Sequence, residues 1–178
     1  LIGLLKKRTQ TERNGYMSDI MAKDLREQYR KTFSTVRKIV ETFPEERWRE
    51  PHGDIYYIPC RIAYHIALVI DRFIADGYKD RDFQAKVPYG NWAEAKAEAL
   101  PDRAEFLAYY DGIIARAEKV LADISDEALK APLPQEISFF AESLIGLHMC
   151  MMREISDHTG ELNKMLVDNG LEDVWVYK

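Results

Sequence analysis

Met151-Met152-Arg153-Glu154-Ile155-Ser156-Asp157-His158-Thr159-Gly160-Glu161-Leu162 reads as helix with charge on the side that ought to be apolar. Residues three and four apart share one face of an α-helix. Glu154, His158 and Glu161 therefore project together, toward the side that also carries Leu144, Leu147, Met151, Leu162 and Met165. At ~100° per residue, with His158 at zero, Phe140 falls near 0°, Leu147 and Met165 near −20° and Met151 near +20°. This reading centres His158 on the apolar stripe. Glu154 and Glu161, at about −40° and −60°, lie on one flank. Charged groups facing a core are costly unless something pairs or coordinates them.

The pattern around this stretch runs from about Ser138 to Asp168 and ends at Asn169-Gly170, a common C-cap pair. Working outward, three more long helices are expected. The first starts after Ser18 or Asp19 as cap and runs to about Phe43, with Tyr29, Phe33, Val36, Ile39 and Val40 in helical register. A short further turn is expected over Pro44–Trp48, before the breaker Pro51-His52-Gly53-Asp54. The second runs from Ile58-Pro59 to Asp76 and is apolar nearly all round, which suits a helix with neighbours on several sides. The third begins at the cap Asp102 and runs to about Ile124. Gly77–Pro101 is the longest irregular stretch, with a short helix expected over Trp92–Ala99. Ser125–Gln135 is a connection. No strand alternation, glycine-rich phosphate loop or internal repeat appears. Four amphipathic helices with irregular connections predict an all-α fold, a four-helix bundle, in which ligand sites sit between facing helices.

The 178 residues suit one domain, expected over 17–178, with Met17 as a plausible start and Leu1–Tyr16 a leader or disordered arm. A net charge of −5 argues against nucleic acid as the main partner. No run reaches the ~18 apolar residues of a membrane span. Cys60 and Cys150 form no CxxC pair and read as small buried side chains, with a reducing cytoplasm as the expected location.

His65 continues the inward row of Ile58, Ile62 and Val69. Alone, His65 and His158 each read as core histidines satisfied by a neighbour. Together they are the raw material of a metal site, because Glu154 and His158, at i and i+4, can bind one ion. Imidazole nitrogen with carboxylate oxygen suits Zn²⁺, Ni²⁺, Fe²⁺ or Mn²⁺. His148, about 80° from His158, reads as peripheral. His52 reads as an exposed loop residue. Arg61 and Arg72 flank His65 and could bind an anionic substrate, or be surface and ion-pair residues. The di-iron pattern Glu-x-x-His, the His-Glu-x-x-His pair and the serine elbow Gly-x-Ser-x-Gly are all missing from the sequence.

With these residues in hand, the chain resembles the DinB-like superfamily of four-helix bundles (DinB/YfiT type). Ile62-Ala63-Tyr64-His65-Ile66-Ala67 looks like that family's first metal-ligand motif. Glu154-x-x-x-His158-Thr159-Gly160-Glu161 looks like the second, which usually shows two histidines four apart followed by Arg-Gly-Gln. The resemblance implies an up-up-down-down bundle, often a homodimer, with a divalent metal on His65, Glu154 and His158. It implies a small-molecule substrate and the chemistry of thiol-dependent transferases and isomerases, or hydrolysis, with a low-molecular-weight thiol such as bacillithiol, mycothiol or glutathione as cosubstrate. Glu161 stands at the family's Gln. It is expected to orient His158 or to act as general base, and is the catalytic candidate. Glu154 in place of a histidine leaves a two-His, one-carboxylate set, or marks a member without metal. The competing expectation is a non-catalytic dimeric bundle, a small-ligand-binding or stress-related protein. A plain interaction module would need a large apolar surface patch.

Overall fold

A computed structural model describes residues 19–54 and 56–177. The expected leader, the start at Met17 and the alternative cap Ser18 lie outside the described residues. The fold is all-α, with no strand among the described residues. Its helices are α1 (Ile20–Thr42), α2 (Pro59–Val69, continued by a π-turn over Ile70–Ile74), the short α3 (Phe83–Lys86), α4 (Arg103–Ala122) and α5 (Leu144–Asp168). α1 packs on α4 and α5, and α2 packs on the same two helices. The core between them is filled by Tyr29, Phe33, Ile62, Ile66, Phe106, Tyr110, Ile155 and Leu162, all buried.

Local chemistry sets the helix ends. Pro59 opens α2, where a missing N–H costs nothing. Asp102 and Glu105 form a reciprocal capping box on α4. Asp19 stands at the start of α1, but in a left-handed conformation (φ 66°) and with no side-chain bond into its own helix. The cap comes from elsewhere. Asp126 Oδ1 accepts from Ala22 N at 2.8 Å and its Oδ2 from Met21 N at 3.3 Å, while Asp19 accepts from Asp126 N at 2.8 Å. In return Arg26 donates to Leu121 O and Ile124 O at the end of α4, at 3.3 and 3.0 Å. Two neighbouring helices thus satisfy each other's orphan backbone groups.

Two expected helices differ from those observed. α5 starts at Leu144 rather than Ser138, because the preceding residues pair with another loop instead. Leu144 N donates to Ala131 O at 2.9 Å and Leu133 N to Glu142 O at 3.3 Å, and Ser143 caps the helix. The expected helix over Trp92–Ala99 is reduced to a turn and a 3-10 turn at Ala97–Ala99, while α3 forms instead at Phe83–Lys86. The second helical segment ends at Ile74, two residues short of the expected Asp76, and Gly77 opens a 3-10 turn where only a glycine fits. A Cβ there would lie 2.6 Å from both Asp71 O and Phe83 Cε2.

With Phe140 outside the helix, the buried stripe of α5 shifts. Leu147, His148, Met151, Ile155, Thr159, Leu162, Asn163, Met165 and Leu166 are its buried members, centred at about +50° from His158. His158 therefore sits at the edge of the stripe, and His148, expected at the periphery, is inside it at 2% exposure. Tyr29 Oη lies 3.1 Å from both His148 Nδ1 and His148 O. A phenol has one proton. Donated to the carbonyl, it leaves Nδ1–H to donate to the phenol oxygen and Nε2 as a buried acceptor without a partner.

Two outcomes follow from these contacts. Asp126→Ala should lower unfolding free energy by about 1 kcal/mol, with Asp126→Asn losing less, as read from urea midpoints. Burial pushes His148 down to about 4 from an ordinary 6.5, with Asp76 opposing only in part. The folded state therefore stays unprotonated where the unfolded state takes up a proton. Its contribution is complete above pH 6.5 and is lost progressively between pH 6.5 and about 4. Unfolding free energy over that window should fall by about 3 kcal/mol more in the native chain than in His148→Phe.

Candidate metal centre

α2 and α5 bring their histidines together at the edge of the core. His65 Nε2 lies 3.1 Å from Glu154 Oε1, and His158 Nε2 lies 3.4 Å from the same oxygen. The two imidazoles meet edge to face with centroids 4.6 Å apart. The three side chains offer ligand atoms that all lie within 4.8 Å of one another. Donors about 2.0–2.1 Å from a tetrahedral ion stand about 3.3 Å from each other. The two spacings to Glu154 match that value and the third pair lies within 4.8 Å, so the donor set fits a divalent ion in chemistry and could hold one with a small closing of the two imidazoles.

Burial grades across the site. The His65 and His158 side chains are 12% and 16% exposed, and Glu154 is 42% exposed. The carboxylate thus forms the open side, on the flank of α5 where its wheel position put it. Burial pushes His65 below its ordinary value, a shift the hydrogen bond to Glu154 offsets only in part. Burial alone would raise Glu154, but the His65 hydrogen bond and the nearby His158 outweigh it and hold the carboxyl below its ordinary range. Both groups are therefore in the protonation state a cation requires of its ligands.

Glu161 lies beside His158 rather than among the three. Its Oε2 is 2.6 Å from His158 Nδ1. A proton on Nδ1 leaves the Nε2 lone pair directed to the Glu154 side, the arrangement by which outer carboxylates orient ligating histidines. The second oxygen of Glu161 accepts no hydrogen bond among the described residues. His65 Nδ1 is buried without a partner.

Two residues that shape the site are not in the expected set. Trp92, from the connection between α2 and α4, lies over His65 with ring centroids 4.0 Å apart. Arg61, one turn before His65, is neither a surface nor an ion-pair residue. It is buried, and its guanidinium donates to Trp92 O, Ala93 O and Ala95 O at 3.0, 2.7 and 2.7 Å. Those carbonyls are the ones a helix over Trp92–Ala99 would have used internally. The aromatic content of the connection was the available signal for Trp92. Nothing in the sequence marks Arg61 as the residue that holds it.

The remaining candidates lie away from the centre. His52 Nε2 is 2.6 Å from Asp168 at the end of α5. Cys60 is buried, its thiol pushed up to about 11 chiefly by burial, and Cys150 is half-buried. Neither belongs to the group of potential metal ligands. No described helix is long and apolar enough to cross a membrane. Compared with protein-family models, with curated proteins and with solved structures, the chain matches none of them.

Proposed function

We propose that this chain is a metal-dependent enzyme of the DinB-like type, with its four long helices forming an up-up-down-down bundle and one divalent ion held by His65, Glu154 and His158. A small-molecule substrate, a low-molecular-weight thiol cosubstrate, a homodimeric state and a cytoplasmic location belong to the same reading and rest on the sequence resemblance. One observation carries it. Ligand atoms of His65 and of Glu154, 89 residues on, converge with His158 within 4.8 Å, and no Lys or Arg among the described residues pairs with the carboxylate between them.

Bound there, Zn²⁺, Ni²⁺, Fe²⁺ or Mn²⁺ would lower the pKa of a water or thiol and supply a nucleophile near neutral pH. The chain's own residues divide the remaining work. Glu161 fixes the tautomer and ring direction of His158 through Oε2 and keeps its other oxygen free to take a proton from an incoming thiol or water. Trp92 covers His65 and shields it from bulk water. Glu154 leaves the opposite side open for substrate entry. The reaction class is thiol transfer, then isomerisation, then hydrolysis, in order of preference.

A second reading keeps the pocket without metal or catalysis, as a dimeric small-ligand-binding or stress-related bundle. It is favoured by the hydrogen bonds the cluster makes within itself, His65 Nε2 to Glu154 Oε1 at 3.1 Å and His158 Nδ1 to Glu161 Oε2 at 2.6 Å.

Metal analysis of protein purified without chelator separates the two. The enzyme reading expects about one ion per chain, and less than about 0.1 ion that added Zn²⁺, Ni²⁺, Mn²⁺ or Fe²⁺ does not restore would sink it. His65→Ala and His158→Ala should abolish the ion. Glu154→His, the family's usual residue, should retain it. Glu161→Gln should weaken metal affinity about 10- to 100-fold, as removal of an orienting carboxylate does, measured by competition with a chelating dye.

A further inference from the structure

The cleft beside the candidate centre contains one charge that nothing in the fold neutralises. The cleft has a volume of about 380 Å³ and is bounded by the far half of α2, by α3 and by the Asn91-Trp92 corner. That volume is near the lower end of the roughly 300–1,000 Å³ usual for small-molecule sites. His65 closes one end, and Leu68, Val69, Phe73 and Phe83 make the walls apolar. Arg72, on the π-turn, lines the same cleft. Its guanidinium carbon stands 5.4 Å from the Phe73 ring centroid and 6.0 Å from that of Phe83. The two rings steady its head group.

No carboxylate lies within ion-pair distance of Arg72 among the described residues, whereas several other arginines of the fold have one. Arg37 pairs with Asp111, Arg103 with Glu45 and Arg116 with Asp71. Asp71, the residue beside Arg72, is engaged with Arg116 at 2.6 Å and is not available to it. The opposite end is closed by His65, the one member of the candidate centre that lines the cleft. His65 and Arg72 are seven residues apart, about 10 Å along a helix. The cleft is therefore a slot with an imidazole at one end, a guanidinium without a carboxylate partner among the described residues at the other, and an apolar middle.

We propose that this slot binds a small amphiphilic carboxylic acid of arylalkanoate size. Its carboxylate sits on Arg72, its apolar body lies on Leu68, Phe73 and Phe83, and its far end is presented to His65. A guanidinium takes a carboxylate through two parallel hydrogen bonds, and the exposed head of Arg72 is open to one from the cleft. The presentation of the far end rests on the reading of His65, Glu154 and His158 as a metal centre. The seat on Arg72 does not.

The test is calorimetric titration with 3-phenylpropionate, 3-phenylpropan-1-ol and 3-phenylpropylamine, on protein held in EDTA and on protein loaded with Zn²⁺. The acid should bind at least about tenfold more tightly than the alcohol in both preparations, the difference a charge-assisted pair makes. The amine should bind more weakly than either. Arg72→Gln should abolish the preference for acid while leaving affinity for the alcohol unchanged, and Arg72→Lys should restore part of it. A preference that survives Arg72→Gln, or no preference in the native chain, overturns the proposal. So does an acid that binds only the Zn²⁺ form and is lost in His65→Ala but not in Arg72→Gln, because the carboxylate would then sit on the metal. An Arg72-dependent preference in a chain that takes up no metal upholds the seat and overturns only the metal reading.

Discussion

The candidate site depends on a single buried guanidinium. Arg61 is 7% exposed, has no carboxylate partner among the described residues, and spends its charge on three backbone carbonyls of the α2–α4 connection. Burying a cation without a counter-ion is ordinarily prohibitive. Here the acceptors are themselves groups that would be stranded. Trp92, Ala93 and Ala95 do not sit in a regular helix, and without Arg61 their carbonyls would need other donors. The arrangement ties the connection to α2 one turn from His65, and Trp92 comes to rest on the imidazole as a consequence. One helix thus supplies both a potential ligand and the clamp that encloses it. The cleft occupied by Arg72 exists because the same connection is held across it.

The rest of the fold keeps polar chemistry at helix ends and leaves the middle to apolar packing. Arg26 and Asp126 tie the start of α1 to the end of α4 through backbone groups. Asn163 exchanges both amide bonds with Val174, at 2.9 Å each way, which docks the C-terminal tail on α5. The exposed pairs Arg37–Asp111 and Arg116–Asp71 add register more than stability, since such pairs contribute little in water. Glu154 and His158 sit at the boundary of these regimes. They lie where the core edge of α5 meets solvent, so they can be preorganised by packing and still be reached.

How much of this could be read from residues alone depended on whether the determining partner was local. The box Asp102–Glu105, Pro59 at the start of α2 and the stop after Asp168 involve neighbours in sequence, and their helices were expected within a few residues. The start of α5 was not, because Phe140 matches the helical register as well as Leu144 does. It is the loop at Ala131–Leu133, distant on a sequence window, that pulls Phe140 out to pack on Phe73 with centroids 5.0 Å apart. That one misplacement also moved the apparent centre of the stripe, so that His148 was expected at the rim and His158 in the middle. The approach of His65 to Glu154 and His158 followed from two separate inward-facing rows, which periodicity does report. Arg61 and Trp92 were beyond its reach, since periodicity says where a side chain points and not which carbonyls lie beyond it.

The replacement of an expected histidine by Glu154 has an electrostatic meaning once its surroundings are known. Two neutral imidazoles and one carboxylate would reduce a divalent ion to a single net positive charge. Glu161, bonded to the far nitrogen of His158 at 2.6 Å, adds a second negative charge one residue's width away. A centre of that composition is close to neutral overall. It would polarise a bound water or thiol less than three imidazoles do, and it would attract a free anion weakly. An anionic ligand then needs its own counter-charge elsewhere. The fold has one about two helical turns beyond His65, in a guanidinium near the Phe73 and Phe83 rings with no carboxylate partner among the described residues. On the proposed reading, the carboxylate among the candidate ligands and this arginine are complementary, one lowering the charge of the centre and the other supplying charge farther along the helix.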